Sequence, residues 1–130
     1  MEDAAFSDDF CRFLRTVVPT VDAAELLLLL QRERERWWMA QEAAAALLPG
    51  AQLSEADTAR YFGIFQAQAL IAVGPDKRVQ YRPGFAALDA HVVTLEQAYR
   101  ERPVTLIRVI YALRDASIQS FADAFRLRRS

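Results

Sequence analysis

The sequence has little of what disulfide scaffolds, metal centres and membrane proteins require. Its 130 residues contain a single cysteine, Cys11, so no internal disulfide can form. The longest apolar run near the start, at 26–30, is far too short to span a bilayer, and no secretory signal precedes it. We therefore expect a cytoplasmic protein that contacts no membrane and binds no metal or cofactor.

Motifs of catalysis are also missing. The sequence has no glycine-rich phosphate loop, no HExxH and no nucleophile elbow. His91 is the only histidine, and no carboxylate or second ligand accompanies it at a matching spacing, so we interpret it as a packing or surface residue. Cys11 has no histidine near it in sequence and is interpreted as a small apolar side chain. These absences predict a protein without enzymatic activity.

Neither sign of charge is in large excess. The net charge is −1, which argues against a general electrostatic grip on nucleic acid. Residues 1–70 nevertheless carry eleven acids and six bases, whereas residues 71–130 carry six acids and ten bases. This asymmetry of −5 against +4 is modest, and it suits the orientation of a nucleic acid or of another copy of the chain.

The chain is rich in hydrophobic residues, which make up 53% of it, and alanine and leucine are the commonest of them. This composition favours a single helical domain. Ser7 or Asp8 can cap a first helix to about Thr16. Asp22 and Glu25 form a capping-box-like start for a second helix, whose five consecutive leucines predict that other elements surround it. A short extended piece at 37–38 should place both tryptophan rings at one edge of the core, and an alanine-rich helix at 41–48 follows.

The stretch from 53 to 83 is the most informative. Ser54 and Asp57 form a capping box that opens a helix to about Leu70. Two short strands follow at 71–73 and 79–81, and the sequence GPDK between them supplies a tight turn. Two helices, a capped helix and a small β-hairpin are the outline of a winged helix-turn-helix. The predicted class is mainly α with a β-hairpin wing, followed by C-terminal helices.

The C-terminal part is expected to be helical throughout. The pattern predicts a long helix at 85–102, a new helix from Pro103, and a last segment after Asp115 with an apolar stripe of Ile118, Phe121 and Phe125. We divide the chain into a winged helix-turn-helix core with its N-terminal helix at 1–83 and a helical extension at 84–130, within one compact domain. The extension has more apolar stripes than a wing domain needs, so it either packs against a twin or another protein or closes the monomer's own core.

In a winged helix, the second helix of the turn enters the major groove and the hairpin contacts the DNA backbone. Arginine and glutamine are suited to bases, and lysine and arginine to phosphate. Glu55 and Asp57 would repel phosphate at the start of this helix unless they serve its cap and dipole. The residues expected to approach bases are Thr58, Arg60 and Gln66, and those expected to hold phosphate are Lys77, Arg78 and Arg82.

A different class of function remains open. The segment 61–65, YFGIF, is apolar around most of a helical turn, so it can leave apolar surface for a protein partner. In this alternative the domain is a winged-helix adaptor that binds a protein through the surroundings of Phe62 to Phe65, or through its last helix, and binds no DNA.

The order of helices before the GPDK hairpin resembles the MarR-like branch of winged-helix transcriptional regulators. The strings FLRTVVP, AELLLLLQRERERWW, YRERPVTLIRVIY and SFADAFRLRR resemble a group of small bacterial winged-helix proteins of largely unassigned function. This second resemblance covers nearly the whole chain, and FADAFRLR is its most specific part. It implies a bacterial DNA-binding regulator, an expectation that rests on fold analogy. We expect the protein to act as a homodimer.

Carried over by position, the regulators' recognition helix falls on 57–70 and the wing on 73–81. The sequence departs from their pattern at two places. Ala69 stands where a glycine commonly ends the recognition helix, and Gly63 and Ile64 stand where polar or basic residues usually face DNA. Both departures favour a helix that faces protein over one that reads a DNA sequence.

Overall fold

The computed structural model describes residues 6–47 and 53–114, which form six helices and one two-stranded antiparallel sheet. In chain order the elements are α1 (Asp8–Val17), α2 (Val21–Arg32), α3 (Ala40–Ala46), α4 (Glu55–Ala67), β1 (Ile71–Val73), β2 (Val79–Tyr81), α5 (Ala86–Glu101) and α6 (103–114). The expectation of a mainly helical chain with a small hairpin is confirmed. The predicted segment after Asp115 and its apolar stripe lie outside the described residues.

The first two helices begin at hydroxyl caps. Ser7 Oγ accepts a hydrogen bond from the backbone N–H of Phe10 at 3.1 Å, as expected for the start of α1. The start expected for α2 was wrong. Thr20 Oγ1 accepts from Ala23 N–H at 3.1 Å, and Asp22 already lies in the first helical turn, where its charge suits the helix dipole.

The centre of the molecule is α2. All five leucines at 26–30 are at most 4% exposed. Five consecutive residues cover every side of a helix, so burying all of them requires neighbours around it. Those neighbours are α3, α5 and β2, and they make α2 the core around which the other elements pack.

Beside this centre, α3 packs against α4. Ser54 Oγ accepts from Asp57 N–H at 3.0 Å and caps α4, as predicted. The helix ends at Ala67, and two residues later Ala69 adopts a left-handed conformation with a φ of 62°. The chain then turns directly into the hairpin, because Leu70 N–H donates to Phe65 C=O at 2.9 Å and closes the end of the helix.

The hairpin pairs Ile71 with Tyr81, Ala72 with Gln80, and Val73 with Val79, so both predicted strands are confirmed. A third segment joins the outer edge of β2. Trp38 and Val79 exchange two backbone hydrogen bonds of 2.7 and 2.8 Å. The expected extended piece at 37–38 is therefore present.

The two tryptophans of this piece face different surroundings. The Trp38 side chain is 1% exposed and closes the core as expected, whereas Trp37 is 37% exposed. The prediction that both rings close the core was wrong for Trp37, because successive residues of an extended segment point to opposite sides.

The last two helices, α5 and α6, contribute further residues to the core. On α5, Val92, Leu95 and Ala98 are buried, and the helix packs against α1 and α2. Pro103 begins α6, as predicted, and Leu106, one of its inward residues, is fully buried. Within 6–47 and 53–114, no helix has the length and apolarity needed to cross a membrane.

Candidate nucleic-acid interface

The side of α4 that faces away from the core carries mostly small side chains. Thr58, Tyr61, Phe62 and Phe65 are buried on the inner side. The exposed residues of the helix are Glu55, Ala56, Ala59, Arg60, Gly63, Gln66 and Ala67. Two of the three residues expected to approach bases, Arg60 and Gln66, therefore lie on the accessible side.

The environment of Arg60 limits its charge. Its Nη2 atom donates to Asp57 Oδ1 at 3.0 Å, and its guanidinium lies 5.0 Å from the centre of the Tyr61 ring. Both members of the ion pair are partly exposed, so the pair is weak and a phosphate or a guanine can compete for the arginine.

Thr58 does not fit the role expected from the sequence. It is 0% exposed, and its Oγ1 donates to Ser54 C=O at 2.8 Å inside the first turn of α4. A hydroxyl that is buried and already bonded is not available to a base, so Thr58 supports the helix instead. It lies on the same side as Tyr61 and Phe65, which a count of helical positions from the cap could have revealed.

The start of α4 lies in an acidic environment. Burial, followed by the charges of Glu25 and Asp57, raises the pKa of the Asp22 carboxyl above its usual value. Next to it, Thr20 Oγ1 and the Tyr61 hydroxyl share a hydrogen bond of 2.9 Å. A concentration of carboxylates at this end of α4 disfavours the close approach of a phosphate.

The hairpin holds the three residues expected to contact phosphate, and all three are exposed. Lys77 and Arg78 lie at the turn, where Lys77 adopts a φ of 64°. Arg82 follows β2, and its Nη2 donates to Gln80 Oε1 at 2.6 Å. Gln80 is 7% exposed and donates in turn to Glu35 C=O at 3.0 Å. The sequence analysis missed this buried glutamine, because strand alternation places it on the same side as the exposed Arg78 and Arg82 and its partner Glu35 lies far away in the sequence.

A cleft of about 450 Å³ separates the exposed side of α4 from the hairpin. The buried Phe62 and Val79 line it, together with exposed polar residues of both elements such as Gln66 and Lys77. Two exposed apolar side chains, Met39 and Val73, also line the cleft, at 40% and 43% exposure. Its lining mixes apolar surface with one lysine and two acids, so it is suited to more than one kind of partner.

The residues considered for catalysis lie in apolar surroundings. The His91 ring stacks on Phe13 with centroids 5.1 Å apart and lies 6.1 Å from the Phe10 ring. Cys11 is 8% exposed. In the part of the chain that the structure describes, no three His, Cys, Asp or Glu side chains are grouped to hold a metal ion.

Comparison with protein-family models, with curated proteins and with solved structures finds no match to this chain.

Proposed function

We propose that the protein is a non-enzymatic regulator of the winged-helix type that binds duplex DNA as a homodimer. The observation that supports this most directly is the order and pairing of elements around the hairpin. A central helix, α2, leads to the strand residue Trp38, then to the packed pair α3 and α4, and then to the hairpin that pairs with Trp38. This is the arrangement in which a helix and a wing can meet one duplex together.

In this proposal α4 lies in the major groove, and the wing contacts the backbone. Arg60 and Gln66 are the exposed residues of α4 that suit a guanine and an adenine. Lys77, Arg78 and Arg82 neutralise two or three phosphates. Because so few phosphate contacts give weak binding, a second copy of the chain on the neighbouring half-site is required for useful affinity.

The test is the salt dependence of binding to a labelled duplex, followed by fluorescence anisotropy. Affinity should fall steeply as salt rises, and Arg78→Glu should abolish binding, because it replaces an attraction to phosphate by a repulsion. Arg108→Glu is the matched control, since it makes the same change of charge on α6, at another exposed position. A flat response to salt, or equal losses in the two variants, would refute DNA binding by the hairpin.

The cleft between α4 and the hairpin favours a second candidate function, a winged-helix adaptor for a protein partner. Met39, Phe62 and Val73 give the cleft an apolar component, and the small residues Ala59 and Gly63 permit a close approach of another backbone. The two candidates make opposite demands on α4. Added positive charge on its exposed side should strengthen DNA binding and weaken the docking of an apolar partner.

A further inference from the structure

The three-stranded unit formed by Trp38, β2 and β1 has a side that faces away from the core. Val79 and Tyr81 are 1% and 4% exposed and point inward. Because side chains alternate along a strand, residues 78, 80 and 82 lie on the opposite side. Trp37, the neighbour of the inward-facing Trp38, lies on that side too. We call the set Trp37, Gly74, Arg78, Gln80 and Arg82 the outer hairpin face.

The Trp37 ring lies against the backbone of this face. A Cβ atom placed on Gly74 would be 3.2 Å from Cζ3 of the ring and 3.5 Å from Cε3. Glycine at this position therefore lets the indole reach across β2 to β1. The side chain is nonetheless 37% exposed, so part of the supported ring remains open to solvent. An aromatic ring held in this way offers a stacking surface without the need to order it first.

Positive charge is fixed over the ring. The Arg82 guanidinium lies over the Trp37 ring, 5.9 Å from its centre, and donates to Gln80 Oε1 at 2.6 Å. Gln80 is itself anchored on Glu35 C=O, so the position of Arg82 is set by two successive hydrogen bonds. Arg78 is exposed on the same side of β2. The outer hairpin face thus joins one partly exposed aromatic ring to two arginines.

We propose that the outer hairpin face binds single-stranded nucleic acid, with one base stacked on Trp37 and the adjoining phosphates on Arg82 and Arg78. An unpaired nucleotide carries both a flat ring and a charged phosphate, and stacking of a base on an aromatic side chain contributes about 1–3 kcal/mol. A duplex cannot use Trp37 in this way, because its bases are already stacked and paired. This binding shares Arg78 and Arg82 with the duplex binding proposed above, but it uses Trp37 in place of α4.

The experiment is a titration of the protein with a short oligothymidylate at low salt, followed by tryptophan fluorescence. Binding should quench Trp37, while Trp38, at 1% exposure, should continue to emit. Trp37→Phe should remove the quenching. Trp37→Ala should weaken binding about tenfold, which corresponds to about 1.4 kcal/mol. Arg82→Gln should weaken binding and reduce the dependence of log affinity on log salt by about 0.7.

The matched control is Tyr111→Ala, which removes another exposed aromatic ring, 52% exposed on α6, and should leave oligothymidylate binding unchanged. Circular dichroism on each variant establishes that it is folded, and Trp37→Phe retains a ring if Trp37→Ala does not fold. Absence of quenching, or equal weakening by Trp37→Ala and Tyr111→Ala, would overturn the inference. Trp37→Phe should leave duplex affinity unchanged. If the native protein binds oligothymidylate but binds no duplex, the proposed regulator is refuted and the proposal for the outer hairpin face is supported.

Discussion

The helix α4 and the hairpin that follows it are neighbours of similar accessibility, yet they differ in what they expose. On α4 the accessible side is dominated by alanine and glycine, and its one arginine, Arg60, is paired with Asp57. The hairpin exposes three cationic side chains, and the partly exposed indole ring of Trp37 lies against it. In the winged-helix function that we propose, the helix is expected to read bases, but the hairpin with Trp37 has more of the chemistry that nucleic acid requires.

The reason lies in what each element contributes to the core. The three aromatic residues of α4, Tyr61, Phe62 and Phe65, are all buried. The hairpin buries Val79 and Tyr81 through one side, and strand alternation leaves the other side to polar residues. We therefore expect the hairpin to contribute most of the affinity for nucleic acid, and α4 to determine which partner shapes can fit.

The largest expected effect concerns the anchoring of the hairpin. Trp38→Ala removes a side chain that is 1% exposed, and the cavity should lower the free energy of unfolding by about 3–5 kcal/mol. Phe65→Ala makes the matching change in α4, where Phe65 is 0% exposed, and should have a similar cost. Urea unfolding measures both variants.

Comparable losses would indicate that the two elements are held equally firmly, so that their difference is one of surface chemistry. Trp38→Phe should cost much less than Trp38→Ala, because Nε1 of Trp38 has no hydrogen-bond partner among the described residues and most of the ring is retained. A cost below about 1 kcal/mol for Trp38→Ala would show that the hairpin is stable without the packing of the Trp38 ring.

The junction between α4 and the hairpin is the next place to test. Ala69 has a φ of 62°, a conformation that costs an L-residue about 1 kcal/mol or more and that glycine adopts freely. Ala69→Gly should therefore stabilise the protein by about 1 kcal/mol in thermal or urea unfolding. Ala59→Gly, within the exposed side of α4, is the control and should destabilise by a similar amount. Destabilisation by Ala69→Gly would contradict the left-handed turn.

The caps and turns on either side of this junction could be read from the sequence, since they depend on residues a few positions apart. Ser54 caps α4, GPDK turns the hairpin and Pro103 starts α6, each as predicted. The pairing of Trp38 with Val79 could not be read in the same way. Two adjacent tryptophans do not say which ring points inward, and the strand partner lies far along the chain.

Less of the candidate site could be predicted, because its geometry also depends on contacts between residues that are far apart in the sequence. Cationic residues near a turn are exposed almost by default, so Lys77, Arg78 and Arg82 could be predicted as accessible. Whether a residue of α4 faces inward depends on how the helix is rotated against the core, and this hid the burial of Thr58. Gln80 was missed because its value as a support for Arg82 depends on Glu35, a residue of another element.

A smaller effect separates the two candidate roles of α4. A side chain added at Gly63 meets no atom within 4 Å of its Cβ, so Gly63→Arg places a positive charge on the exposed side without a clash. If this side faces duplex DNA, affinity should rise about fivefold, or about 1 kcal/mol, measured by fluorescence anisotropy. Gly63→Gln, which adds a polar side chain without the charge, is the control. An arginine that lowers affinity or leaves it unchanged would favour the adaptor.

The smallest expected effect uses two tyrosines, one that ties the hairpin to α5 and one that ties α5 to α2. The Tyr81 hydroxyl of the hairpin donates to Asp89 Oδ1 at 2.8 Å, and burial followed by this bond raises the Tyr81 pKa well above its usual 10.0. Tyr99 donates to Glu25, and burial followed by that bond raises its pKa to about 12. The native state therefore favours the neutral form of both phenols.

Because the folded pKa values are raised, this contribution to stability is complete below pH 10 and is lost as the pH rises toward and through about 12. Urea midpoints measured across that range should fall, and Tyr81→Phe should reduce the fall, since phenylalanine has no proton to lose. If the loss of stability at high pH arises mainly at the hairpin, Tyr99→Phe should reduce the fall in urea midpoint less than Tyr81→Phe does, because Tyr99 is the less buried of the two tyrosines. Equal curves for the native protein and Tyr81→Phe would show that the bond to Asp89 does not fasten the hairpin to α5.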